Sequence, residues 1–230
     1  MVLSAHGAKA ASPVHAAPNP DGWSNAFNTW SIGAGVGYNF FQTPATIDSF
    51  GTYSDAASPT LQGNSPNATV EIGKDLRFNN VVFGLYGDAH LGEKVGAFDS
   101  SDEYAPHARL SLGPGGSLTG RLGVVANPRT LVYGLFGWSW QQYDSFTSSS
   151  DYTLNNLTAS GSGVLNGPTI GLGAEVLFKK MPNVSLKAEY RYTHFDAPAP
   201  LSPTTGKFTT FGNVDDQSVR LVLSFKLPQG

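Results

Sequence analysis

The tract from Trp30 to Phe40 alternates without a break. Trp30, Ile32, Ala34, Val36, Tyr38 and Phe40 fall on one face, and Ser31, Gly33, Gly35, Gly37 and Asn39 on the other. A period of two is the period of a strand, whose successive side chains point to opposite faces. Glycine at this density also disfavours a helix.

The same pattern recurs along the chain. Ala68, Val70 and Ile72 alternate with Thr69, Glu71 and Gly73, and Phe83, Leu85, Ala89 and Leu91 with Gly84, Tyr86, Asp88 and His90. Leu118, Leu122 and Val124 alternate with Thr119, Arg121 and Gly123. The stretch from Leu131 to Trp140 is apolar on both faces; Val132, Phe136, Trp138 and Trp140 are assigned to the apolar one. Ile170, Leu172, Ala174, Val176 and Phe178 alternate with Gly171, Gly173 and Glu175. Val184, Leu186, Ala188, Tyr190 and Tyr192 alternate with Ser185, Lys187, Glu189, Arg191 and Thr193. Val219, Leu221, Leu223 and Phe225 alternate with Ser218, Arg220, Ser224 and Lys226, which completes eight strands.

The connections alternate in length. Those at about residues 42–66, 92–116, 141–166 and 196–215 are long, while Asp75–Asn80, Ala126–Thr130 and Lys179–Asn183 are short. In an up-and-down meander this puts every long connection at one end. Long loops outside and short turns at the periplasmic end mark an outer-membrane barrel. Mean hydropathy is −0.16, and no stretch has the ~18 consecutive apolar residues of a spanning helix. Alternating barrel strands average to near-neutral hydropathy, so the value leaves a barrel open. The expected fold is all-β, an eight-stranded antiparallel up-and-down transmembrane β-barrel over residues 23–230. Residues 1–22, rich in Ala, Pro and Ser, are expected to be a disordered tail, a signal-peptide remnant ending near Ala8-Lys9-Ala10, or a flexible leader.

Several segments resemble one family: Trp30 to Phe40 (WSIGAGVGYNF), Val82 to Asp88 (VFGLYGD), Gly120 to Val125 (GRLGVV), Leu131 to Trp138 (LVYGLFGW), Gly167 to Val176 (GPTIGLGAEV) and Ser185 to Phe195 (SLKAEYRYTHF). In order and spacing they are similar to the opacity-type or Omp25/Omp31-like outer-membrane proteins of alphaproteobacteria. The resemblance implies an eight-stranded barrel in the bacterial outer membrane, with adhesion, antigen display or envelope integrity as typical roles. Such barrels usually end on an aromatic residue, whereas here Phe225-Lys226-Leu227 is followed by Pro228-Gln229-Gly230.

Charge placement carries an independent argument. The polar face collects the acids Glu71, Asp75, Asp88, Glu175 and Glu189 and the bases Arg121, Lys187, Arg191, Arg220 and Lys226, five of each sign. The apolar face holds Lys74, near a turn, as its exception. An eight-stranded lumen is just wide enough to be filled by side chains, and buried charges are tolerated when paired. These ten residues are the expected lumen ion network. Trp30, Phe40, Trp138, Trp140, Phe178, Tyr192 and Phe225 lie near the strand ends and are expected to form an aromatic girdle. A soluble lipocalin-like barrel would show the same period with the apolar face inside. Glycine on the polar face, the aromatic placement and the loop asymmetry favour the membrane.

The long loops carry eleven acids (Asp48, Asp55, Glu93, Asp99, Asp102, Glu103, Asp144, Asp151, Asp196, Asp215, Asp216) against three bases (Lys94, Arg109, Lys207). The short turns carry Lys74, Arg77, Arg129, Lys179 and Lys180. The formal net charge of −3 thus sums an acidic outer end and a basic inner end, and gives no footprint for nucleic acid. An acidic surface suits a divalent cation or a basic partner, but plain loop solubility, which loop charge serves generally, is the preferred reading.

No cofactor, metal or catalytic residue is expected. Cysteine is absent; His90 and His107 lack metal-ligand spacing; and Gly33-Ala34-Gly35-Val36-Gly37 lies within a strand with no following helix. His194, Asp196 and Ser202 form the one triad-like grouping, but His194 falls on the apolar face, without a serine two positions on. The expected function is a non-enzymatic surface-exposed barrel without a wide pore. The expected partners are outer-membrane lipid and lipopolysaccharide, with an extracellular partner as a further option for the acidic loops. A small-solute porin or a loop-mediated (haem-like) uptake protein, and a lipid A-modifying enzyme, stand as alternatives.

Overall fold

A computed structural model describes residues 27–47, 58–99, 107–149, 157–201 and 209–227. The elements are β1 (Trp30–Ile47), β2 (Thr60–Phe78), β3 (Val81–Leu91), β4 (Lys94–Asp99), β5 (His107–Asn127), β6 (Thr130–Ser149), β7 (Leu157–Phe178), β8 (Met181–Phe195), β9 (Thr209–Phe211) and β10 (Val214–Lys226). Eight of them form a closed antiparallel ring in the order β1-β2-β3-β5-β6-β7-β8-β10, with β10 pairing back onto β1 from Ser31–Lys226 to Gln42–Asp215. β4 resumes the line of β3 after a break at Gly92 and Glu93 and pairs with β5. β9 pairs with the far end of β1.

Closure removes the sheet edge, so backbone groups in the ring are satisfied without water. Stepping from partner to partner around the ring runs Ser31, Gly73, Tyr86, Thr119, Gly137, Thr169, Thr193 and Asp216, and returns to β1 at Phe41, ten residues beyond the start. That stagger over eight strands leans each strand about 40° from the barrel axis. The short connections tighten to the pairs Asn79-Asn80, Pro128-Arg129 and Lys179-Lys180. Asn79 sits at φ 55°, a left-handed conformation that asparagine adopts more readily than most residues.

The long connections are shorter than the sequence suggests, which corrects their expected bounds. β1 runs on to Ile47, β2 begins at Thr60, β5 at His107, β7 at Leu157 and β10 at Val214. The physical reason is an inversion of faces part-way up the wall. On β1, Ile32, Val36 and Phe40 point outward, with Ser31 and Asn39 buried. Past Phe40 the pattern turns over: Phe41, Ala45 and Ile47 are buried, while Gln42, Pro44 and Thr46 are exposed. β6 does the same above Trp140, with Tyr143 inside and Gln142 and Asp144 outside. A wall facing lipid is apolar outside, and one facing water is apolar inside, so the level of inversion marks one edge of the lipid-facing band.

Polarity inside follows the same logic. At the short-turn end Phe27, Val82, Val125, Leu131, Tyr133, Leu135 and Leu177 pack together. At the other end a second cluster, including Phe41, Leu61, Leu110, Leu112, Tyr143, Leu165, Phe195 and Phe211, fills the head that rises above the membrane level. The charged layer lies between these apolar plugs. On β5 the change of face needs a register shift between Leu112 and Gly115. Below it Gly115, Ser117, Thr119 and Arg121 point inward; above it Ala108, Leu110 and Leu112 do. Pro114 stands in this bulge, where its missing N–H disrupts no ladder.

Candidate functional site

The inward side chains at mid-barrel are set by strand phase, and together they form two closed rings of ion pairs. In the lower ring Arg121 bonds both Asp75 and Glu175, and Lys226 reaches the same two acids at 3.6 and 2.6 Å. In the upper ring Arg191 contacts Asp88 at 2.7 Å and Glu189 at 2.9 Å, while Arg220 contacts them at 3.1 and 2.9 Å. Every acid in each ring therefore touches both bases. Lys187 pairs with Glu71 between the rings. All ten residues are buried.

Neutral groups add further hydrogen bonds to the acids. Tyr86 donates to Asp75 at 2.8 Å, and Tyr133 to Glu189 at 2.7 Å. Their rings flank the Arg121 guanidinium at 4.5 and 4.7 Å, where each ring face favours the cation. Ser185 donates to Glu175 at 2.7 Å, and Ser117 donates to Asp88. The two tyrosines fit because glycine faces them. A Cβ on Gly73 would lie 2.3 Å from the Tyr86 ring, and one on Gly173 would lie 2.6 Å from that of Tyr133. Gly73→Val is therefore expected to cost about 1–3 kcal/mol as an overpacked interior, read as a lower urea midpoint for the folded barrel.

Lys94 and Asp216 correct the sequence reading, which counts them among loop charges. Both are buried inside the barrel and pair at 2.8 Å. The missed signal is phase: Lys94 continues the even-numbered inward series of Asp88 and His90, and Asp216 that of Arg220 and Ser218. With them the buried charges among the described residues are six acids and six bases. Above the upper ring, Ser139, Thr169 and Thr193 form a chain of hydroxyls. A cavity of about 30 Å³ beside Asn39, Asn67, His90 and Arg220 has room for about one water.

Outside, Trp30, Phe40, Trp138, Trp140, Phe178 and Phe225 are exposed, and Tyr192 is half-buried. Trp30, Phe178 and Phe225 stand at the short-turn end and Tyr192 lies three residues from the end of β8, but Phe40, Trp138 and Trp140 lie well inside long strands rather than at their ends. They follow the edge of the apolar band, where face polarity inverts, and not the ends of pairing. Lys74 lies 5.5 Å from the Trp30 ring.

His194 points outward at the upper rim. Its Nδ1 is 2.7 Å from Asp215, which also accepts from Tyr192 at 2.6 Å, and its Nε2 is 3.0 Å from Asn213. The Asp196 amide N–H donates to the Asn166 carbonyl. Ser202 lies outside the described residues, as do Asp48, Asp55, Asp102, Glu103, Asp151, Lys207 and the tail 1–22. Of the remaining loop charges, Glu93, Asp99, Arg109, Asp144 and Asp196 are exposed on the outer half and Asp215 is half-exposed. His107 pairs with Asp99 at 2.9 Å. Among the described residues no group of three or more His, Asp and Glu is placed to hold a metal.

Against known proteins, the family described as outer membrane protein beta-barrel domain matches residues 4–226. No curated protein sequence matches. Among solved structures, the protease OmpT of Escherichia coli aligns over 87% of this chain and 97% of its own at 9% identity, with a TM-score of 0.51. The attachment invasion locus protein Ail of Yersinia pestis aligns over 87% and 99% at 16% identity, TM-score 0.40. Neisserial surface protein A aligns over 86% and 97% at 13% identity, TM-score 0.39. At such identities the likeness concerns the fold.

Proposed function

Since this chain belongs to the outer membrane protein beta-barrel domain family and so resides in the bacterial outer membrane, we propose that it is a non-enzymatic surface-display barrel with no wide pore. The observation that carries this is the filled interior. Two four-membered ion-pair rings lie across the lumen between two apolar plugs. A side-chain-filled barrel of eight strands leaves no aqueous channel of porin width. What the barrel offers to the outside is a head raised above the bilayer and packed on its own core.

Within the family, the segments quoted above support placement among the opacity-type or Omp25/Omp31-like proteins of alphaproteobacteria. The partners are outer-membrane lipid and lipopolysaccharide along the apolar band, and an extracellular partner at the outer end. Glu93, Asp99, Asp144, Asp196 and Asp215 face out there, which suits a basic partner.

Planar-bilayer recording tests the pore claim. The purified barrel is expected to give no stable large conductance, and a steady porin-like step would overturn the reading. The His194–Asp215 pair supplies the testable point of the lipid-modifying alternative. Lipid A profiles from cells carrying the wild type and His194→Ala are expected to be the same, and loss of a deacylated species in the variant would restore the enzyme.

A further inference from the structure

The outer wall of the head carries a groove that the display reading alone does not use. It has a volume of about 520 Å³, within the range of small-molecule sites. Its floor is a lattice of two cross-strand rows on β5, β6 and β7. One row is Ser111, Asp144 and Ser162; the next is Arg109, Phe146 and Ser160. Three strands span about 10 Å, and rows two residues apart are separated by about 7 Å. Glu93, at the break between β3 and β4, closes one side. Its carboxylate accepts from Ser111 at 2.7 Å and lies 3.8 Å from Arg109.

We propose that this groove binds a short saccharide, neutral or amino-substituted, through the Phe146 ring and the surrounding Glu93, Asp144, Arg109 and serine groups. The chemistry matches in three respects. Phe146 is an aromatic side chain 41% exposed on a wall whose neighbouring outward positions, Gln142, Asp144 and Ser148, are polar. A sugar's C–H face covers such a ring without requiring a wholly apolar ligand. Around it stand two acceptors (Glu93, Asp144), a multiple donor (Arg109) and hydroxyls that serve as both, the inventory that a polyol's own hydroxyls need. Two carboxylates against one guanidinium disfavour sulfated or phosphorylated glycans.

Position supplies a source. Asp144 and Phe146 lie four and six residues beyond Trp140 on the outward face of β6, about 10–15 Å outward along the tilted strand. The sugars of outer-leaflet lipopolysaccharide occupy that level, and glycans outside the cell reach it too. The inference rests on the topology proposed above, with this end outside.

Saturation-transfer NMR on the full chain in phosphatidylcholine nanodiscs separates the possibilities. The first probe is the neutral outer-core oligosaccharide of lipopolysaccharide, freed of lipid A and of the acidic, phosphorylated inner core; the second is a panel of soluble neutral glycans of other origin. Heat-shifted gel mobility first verifies that wild type, Phe146→Ala and Asp144→Asn are folded. Core-oligosaccharide binding that weakens about tenfold in Phe146→Ala, the loss of an aromatic platform, and also falls in Asp144→Asn, supports the groove with the cell's own leaflet as source. The same losses with the second panel only support it with an outside source. A folded barrel that binds neither set, or binds them undiminished in both variants, overturns the groove and leaves the display reading standing. A wild type with no heat shift overturns both.

Discussion

Replacing Arg191 with methionine is expected to destabilise the barrel by about 3–5 kcal/mol, the cost of stranding buried charge. The upper ring would then hold Asp88 and Glu189 against Arg220 alone, with Asp88 also losing a 2.7 Å bond. No water-exposed surface is at hand to dissipate the excess, since all four side chains are buried. The sharper part of this prediction is its non-additivity. Adding Asp88→Asn restores one base to one acid, so the double variant should cost less than the sum of the two single changes. Urea titration in phospholipid vesicles, followed by tryptophan fluorescence, reads both quantities. A cost below about 1 kcal/mol, typical of exposed pairs, would place Arg191 in water rather than in a closed lumen.

Introducing arginine at Leu172 or Leu221 is expected to cost about 2–4 kcal/mol, the penalty for a cation on the lipid face near the midplane. Leu172 is 69% exposed on β7 and Leu221 50% exposed on β10. Each is flanked along its strand by outward apolar residues: Ile170 and Ala174 for the first, Val219 and Leu223 for the second. In water such exposed leucines tolerate arginine with little effect. Gln142→Arg on β6 provides the internal control: it lies past Trp140, above the inversion, and its expected cost is near zero. The contrast between the two levels on one barrel, in the same titration, is what the topology requires.

The part of the fold within the bilayer is legible in the sequence because lipid enforces strict alternation. Trp30 to Phe40 or Val219 to Phe225 present a clean period of two, and the same phase places the ten charged lumen residues on one face. Above the bilayer that enforcement ends. Thr43 to Thr46 and Thr158 to Gly163 consist mostly of Thr, Ser, Ala and Gly, whose small contrast in polarity hides the alternation. The apolar face also changes sides at Phe41, so a pattern followed up from the membrane points the wrong way. Gly113 and Pro114 interrupt β5 as a turn would, though they form a bulge inside one strand. Lys94 and Asp216 are missed for a different reason. They fall where sequence suggests loop, yet the inward phase of β3 and β10 carries through them to a buried pair.

The central claim is that the apolar face meets lipid and the charged face lies inside. Because the chain contains no cysteine, single thiols report on it directly. The variants Leu172→Cys and Leu221→Cys, and Ser162→Cys in the head, are labelled with an environment-sensitive fluorophore and placed in vesicles containing brominated acyl chains. Quenching at 172 and 221, with their unlabelled thiols resistant to a membrane-impermeant maleimide, and the reverse at 162, is the expected result. Ready maleimide reaction and no bromolipid quenching at 172 and 221 would put the apolar face away from lipid and contradict the account.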